Sequence, residues 1–432
     1  MLIDQQMLTW SSFEPRFRTT AERILGDQGR NVTLGESQFR RWTSGQLKTL
    51  PNPDACRVLE AMFDRKAVHL FDPPDEDGPA SLDVPAHDLE AEIAMTAHEA
   101  QTDASEMAAA SVSDVTVEQL QDDVHDLARS YTKKSPQGVW QEAKLLREKA
   151  EHGRERTAVP AQQQVLLILA GKASALLAQA AFDLGQLDGA RRLARTAALY
   201  GETARYEPLR AFAAGSLAYI AYYSGEPSQA LAHVRRALTY GGLGDVANRR
   251  LRAIEARAFG HLGDVTSAQR TMAMAQTVDA GASDELHDDV GGEFGFSHER
   301  LAMSNASTAL LVDDGHGAEE SARHALDLVS SQPPRQQSTT VIGKASADLA
   351  MARLLSGDID GAADALQAVF SVPGDQRVTG LVSRAAAVRR FLTRPSLSSA
   401  QRAIELGEQL EDFTRLSPQR LLVAYEPLAI EA

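Results

Sequence analysis

The sequence predicts an all-α protein: a small N-terminal helical domain followed by a long array of stacked helical hairpins. Three observations carry this. Aromatic residues make up only 6% of the 432 residues while hydrophobic ones make 43%, and an Ala-rich chain with few β-branched runs favours close helix packing over sheets. Trp10, Phe13, Phe17, Ala21, Ile24 and Leu25 recur at spacings of three or four, the period of one helix face. From Gln162 onward, pairs of small residues seven apart recur behind Gly- or Asp-containing turns.

In chain order, Thr9 to Leu25 is predicted as the first helix, with Pro15 in its first turn, where a missing N–H costs nothing, and Gly26 and Gly29 ending it. Leu34 to Ser44 is the second, closed by Gly45. Asp54 to Phe63, with Pro53 near its start, is the third, and Val68 to Phe71 adds a final turn. This fills a domain over 1–71. The single cysteine, Cys56, lies on an apolar helix face and reads as a buried small hydrophobe. One cysteine builds no disulfide framework, which fits a reducing cytoplasm.

Residues 72–86 form an acidic Pro/Gly linker. The charge is unevenly placed: residues 1–70 hold 10 Lys/Arg against 8 Asp/Glu, and residues 71–130 hold 1 against 16. The total of −15 therefore reflects one segment and does not exclude nucleic-acid binding by the N-terminus. The start of the chain has neither a basic region nor a long apolar one, so no signal peptide is expected. No run of about 18 apolar residues predicts a membrane span. Residues 87–160 are predicted as connecting helices: one from His87 to Ala110, one begun by a Thr116/Gln119 capping box, and one begun by Ser135-Pro136.

Residues 161–432 carry the repeats. The small-residue pairs are Ala190/Ala197, Ala230/Ala237, Ala268/Ala275, Ala318/Ala325, Ala362/Val369 and, more weakly, Ala400/Gly407, with first members 40, 38, 50, 44 and 38 residues apart. Two antiparallel helices approach closely where small side chains meet, and such hairpins bury their faces by stacking. The longest interval holds DAGASDELHDDVGGEFGF, predicted as a solvated acidic insertion between repeats. His261, His287, His298, His316 and His324 lack metal-ligand spacing, and no nucleophile or phosphate-loop motif is present. The chain is therefore not expected to be an enzyme, nor to use a cofactor or metal.

The repeats resemble the tetratricopeptide repeat in stretched copies. Ser37-Gln38-Phe39-Arg40-Arg41-Trp42, Gly45, Lys48 and Pro51 look like the recognition half of the XRE (phage-repressor-like) helix-turn-helix. Together they make the chain similar to actinobacterial XRE-type regulators with a C-terminal tetratricopeptide domain. The resemblance implies a cytoplasmic, homodimeric transcription regulator, with Ser37, Gln38, Arg40, Arg41 and Lys48 toward DNA; Trp42, beside Phe39 on the apolar stripe, is expected in the core. It also places Lys172, Gln179, Phe182, Phe212, Tyr219, Tyr222, Arg250, Arg257, Arg300, Asn305, Ser307 and Lys344 along a concave groove for a peptide, protein or small ligand. Gly26 to Gly35 leaves little room for the family's Gln-bearing second helix, and Thr43 follows Trp42 where the family has Glu. These departures fit an alternative, a tetratricopeptide adaptor that docks proteins without binding DNA.

Overall fold

The structure is a computed structural model and describes residues 9–44, 47, 49–71, 92–102, 111–278 and 281–417. Among these residues every regular element is helical. The chain divides into two compact units, Met1–Met95 and Thr96–Ala432. The predicted linker over 72–86, Gly45 and Lys48 lie outside the described residues, as does 418–432 of the repeat region.

The first unit contains α1 (Trp10–Leu25), a 3-10 helix (Gly26–Asn31), α2 (Glu36–Thr43), α3 (Pro53–Phe63) and α4 (Ala67–Leu70). Its core joins Phe13, Phe17 and Ala21 of α1, Phe39 and Trp42 of α2, and Ala55, Val58 and Leu59 of α3. Two features differ from the expectation. Thr9 and Ser12 cap α1 reciprocally, so the helix starts well before Pro15, which sits inside it rather than in its first turn. Cys56 is only half-buried; its thiol donates to the Pro51 carbonyl at 3.3 Å, and burial, helped by Glu60, raises its pKa.

Residues 92–102, at the boundary of the two units, are helical within the longer helix predicted over 87–110. Next come α5 (Asp114–Ser130) and α6 (Pro136–Arg156). Ser135 caps α6 as predicted, accepting from Gly138 N at 3.2 Å. The Thr116/Gln119 capping box does not form: α5 begins earlier, after Ser113, and Gln119 bonds Asp123 instead, at 3.0 Å.

Consecutive helical hairpins follow: α7 (Pro160–Asp183) with α8 (Leu187–Thr203), α9 (Glu207–Tyr223) with α10 (Pro227–Ala237), and α11 (Asp245–His261) with α12 (Val265–Gln276). After them come α13 (His298–Leu311) with α14 (Gly315–Ser330), α15 (Thr339–Leu355) with α16 (Ile359–Phe370), and α17 (Thr379–Leu392) with α18 (Gln401–Arg415). Within each hairpin the helices pack closely, and the first helices of successive hairpins pack on each other. α7 is long and apolar enough to cross a membrane, but 78% of its apolar window is buried, mainly against α6 and α8. It is the central helix of a core.

The small-residue pairs sit where the sequence put them. In the first five copies both members are fully enclosed, at 0% exposure. The sixth is shifted: Ala400 is the N-cap of α18, and the enclosed pair seven apart is Ala403/Leu410. A side chain that grows at such a seam must push two helices apart. Ala230→Leu is therefore expected to destabilise the repeat unit by about 1–3 kcal/mol, read as a lower urea midpoint.

The turns of the first five hairpins also follow a steric rule, with a non-glycine in one of them. Gly185, Gly225, Gly263 and Gly357 hold φ of 80°, 79°, 72° and 83°, a region costly for residues with a Cβ. In the fourth hairpin Asp313 takes this position, at φ 58°, while Gly315 already belongs to α14. Asp264, Asp314 and Asp358 then cap the second helices through backbone N–H groups at 3.0, 2.9 and 2.8 Å.

Over its described residues 281–296 the long insertion is in large part packed, while its acidic residues Glu285 and Asp289 are exposed as expected. It contains a π-helical turn, Glu285–Val290, and buries Leu286, Val290 and Phe294. Buried Asp284 accepts from Gly244 N (2.9 Å), Leu286 N (3.1 Å) and His287 N (2.9 Å), with His287 Nδ1 also 2.9 Å away. Burial disfavours the Asp284 charge, but the His287 hydrogen bonds outweigh it, so its pKa falls. The insertion is tied back to α5 by Glu293 N donating to the Ala128 carbonyl at 2.9 Å and by Arg129 Nε donating to the Val290 carbonyl at 3.1 Å.

The array curls until its ends meet. The Thr379 hydroxyl, at the start of α17, donates to the Phe182 carbonyl, at the end of α7, at 2.6 Å. The first helices therefore converge on a shared interior instead of facing an open groove.

Candidate functional site

On the first unit, Phe39 and Trp42 anchor α2, and the other face of the helix points outward. Ser37, Arg40 and Arg41 are exposed and Gln38 is half-exposed. Arg40 pairs with Glu36 one turn earlier at 2.7 Å, and Arg41 Nε reaches the Ser37 carbonyl at 3.4 Å. Both links are local and solvated, so they hold the side chains weakly.

On the second unit, the converging first helices, with the 131–136 segment and Glu293 and Phe296 of the insertion, line a partly open cavity of about 120 Å³. Of the twelve residues assigned to a groove, the cavity wall holds seven: Gln179, Tyr219, Tyr222, Arg250, Arg257, Arg300 and Lys344. Ser307 lines a neighbouring, more open cleft with Tyr223, Arg257, Asp348 and Arg384. The other four line neither. Phe182 packs edge-on against Tyr219 and Tyr223, both at 5.0 Å. Phe212 packs edge-on against Phe294 at 4.9 Å and under the Arg250 guanidinium at 4.1 Å. Lys172 is buried with its Nζ 3.0 Å from His125 Nε2, and burial lowers its pKa to about 8. Asn305 is buried, with Oδ1 lacking a hydrogen-bond partner.

The cavity's electrostatics follow from burial and from its company of phenols. Arg257 lies over Tyr222, Tyr223 and Tyr219, with its guanidinium carbon 5.3, 5.7 and 5.9 Å from the ring centroids. Burial resists ionising Tyr223, but Arg257, Arg384 and Lys344 outweigh it and bring that phenol down to about 8. For Tyr219, burial and the neighbouring phenols win, and its pKa rises well above the ordinary value. Burial lowers Arg250 to about 10 and also lowers Lys344. Arg300 is matched by Glu293 at 2.7 Å.

Several important residues were missed in the sequence. Asp183 lines the cavity, and its Oδ2 accepts from Tyr131 OH at 2.8 Å. Asp348 receives Arg384 Nε at 2.9 and 3.0 Å and the Ser307 hydroxyl. A signal was available: Lys172 and Asp183 are the only charges in the 24 residues of α7, and an isolated charge on an apolar helix needs a partner.

Burial raises the Asp183 pKa from 3.8 to about 6, with Lys344 opposing. The native state therefore holds this proton where the unfolded chain has lost it. The resulting stabilisation is complete below pH 3.8 and is lost as pH rises through about 6, since stability falls wherever the native state binds more protons. Asp183→Asn is expected to flatten that part of the pH profile, measured by urea unfolding from pH 4 to pH 7.

No protein-family model matches the chain, and no curated protein matches it. Among the described residues, no group of three or more His, Cys, Asp or Glu is placed to hold a metal ion.

Proposed function

We propose that the chain is a ligand-responsive, DNA-binding transcription regulator of the helix-turn-helix kind, with a tetratricopeptide-like array as its sensor. The observation that carries the sensor half is the partly open cavity, lined by both polar and apolar side chains, where the first helices of the hairpins meet the 131–136 segment and the insertion. Its size suits a small molecule better than an extended peptide. The DNA half rests on α2, whose apolar face is buried while Ser37, Arg40 and Arg41 face solvent. A short helix with arginines on its free face can grip phosphate or read guanine. The protein would act in the cytoplasm as a homodimer, with ligand binding favouring one of two packings.

The test is a band shift of the full chain on genomic fragments, repeated across salt concentrations. Arg40→Ala/Arg41→Ala is expected to weaken binding by about tenfold or more and to lower the salt slope by roughly two. If the intact protein shows no salt-sensitive DNA binding, the direct-reader proposal fails. A second reading has its own support. Where the family has a full second helix, this chain has a 3-10 helix, Gly26–Asn31, and a reader without that helix loses backbone contacts. An adaptor that docks proteins through the first unit would co-purify with a protein partner and no DNA.

A further inference from the structure

The chemistry of the cavity wall narrows the ligand. Five cationic side chains line it, against two carboxylates. Two of the cations are matched: Arg300 by Glu293 at 2.7 Å, and Lys134 by Glu142. Arg250, Arg257 and Lys344 remain, with Asp183 as the one carboxylate left on the wall; its Oδ2 accepts from Tyr131 while its Oδ1 is buried without a partner among the described residues, so three cations stand against one carboxylate. Arg250 spends its donors on the Phe212 carbonyl and Ser216 Oγ, both at 3.2 Å. Arg257 donates to Tyr223 OH at 3.4 Å, but its Nε has no acceptor. The Tyr222 hydroxyl is also buried without a partner.

Buried donors without acceptors are costly to leave that way. These two lie on residues of one cavity that also has a cationic excess. An anion placed there would accept from both and balance the charge, and inside a protein such charge-assisted bonds are strong. The same wall carries Ile254, Phe296, Met303 and Val341, which offer an apolar body somewhere to lie.

We propose that this cavity binds a small amphipathic anion, a carboxylate or phosphate head held by Arg257, Lys344 and Tyr222 with a short apolar body. The inference rests on the proposed role of the cavity as the array's ligand site. Recognition would be by charge and shape, with no covalent step.

The test uses the full chain with three probes of one body size: benzoate, phenyl phosphate and benzyl alcohol. Each is titrated calorimetrically and by thermal melting at constant ionic strength. At least one anion is expected to bind saturably and raise the melting temperature, while benzyl alcohol does not. Which anion binds separates a carboxylate from a phosphate head. Lys344→Gln and Tyr222→Phe are each expected to weaken that binding by about tenfold, the loss expected of one charge-assisted hydrogen bond. Tyr222→Phe removes only an unpartnered hydroxyl, so it keeps the test valid if Lys344→Gln does not fold. Equal binding of the alcohol overturns the anion inference and leaves the cavity standing as a ligand site. Binding of no probe overturns both. Unchanged affinity in the variants places the anion elsewhere and overturns the inference.

Discussion

Asp348→Ala is expected to destabilise the repeat unit by about 3–5 kcal/mol, the range for breaking one side of a buried ion pair. Asp348 and Arg384 are 3% and 8% exposed, so neither is relieved by water. Both Asp348 oxygens accept from Arg384 Nε; the Ser307 hydroxyl donates to Asp348 and accepts from Arg384. Removing the carboxylate strands a guanidinium whose only other acceptors among the described residues are that hydroxyl and the Gly380 carbonyl, at 2.7 Å. Arg257 nearby makes the vacancy worse, since it already repels Arg384. The double variant Asp348→Leu/Arg384→Met should be milder than the single one, because it removes the stranded charge along with its partner. Urea unfolding of both variants decides the matter: a double variant as unstable as the single would mean the cost is packing, not charge.

Trp42→Ala is expected to cost the first unit about 3–5 kcal/mol, enough to unfold a small helical domain. Trp42 is 8% exposed and packs on Phe17 at 6.2 Å and on Phe71 at 6.3 Å. Without the indole, α2 keeps only Phe39 as a buried anchor. The chain forms two compact units, so the loss should be selective. In thermal melts of the full chain, the repeat unit's transition should stay in place while the first unit's transition moves down or disappears. DNA binding, if the regulator proposal holds, should vanish with it. A Trp42→Ala chain that still melts and binds as the parent does would show that α2 is not held through this side chain.

The sequence made the scaffold legible because packing writes periodic marks. Ala230 and Ala237, seven apart, had to face a close neighbour, and they are fully enclosed. Gly263 had to sit where a Cβ is costly, and its φ is 72°. The marks weakened where another residue could do the same work. Asp313 replaced a turn glycine, and Ala403/Leu410 replaced the Ala400/Gly407 pair as the enclosed seam. The site was legible only in part. Gln179, Tyr219 and Arg257 share one place before their turn residues, so the motif located them. Asp183, Asp348 and Arg384 follow no repeat, because each answers one particular neighbour across the array. The insertion misled for a similar reason. Its acidic look suggested solvent, but Asp284 spends its charge on backbone N–H groups.

The contact between Thr379 and the Phe182 carbonyl has a consequence for how such a chain could change over generations. An open array can gain or lose a hairpin by unequal duplication, because each added unit meets only its neighbours. Here the copy number is locked. An extra hairpin between α7 and α17 would carry Thr379 past its acceptor and draw apart the residues that enclose the cavity. Length variation would then be tolerated in loops and in the insertion, while the count of hairpins stays fixed by the need to meet end to end.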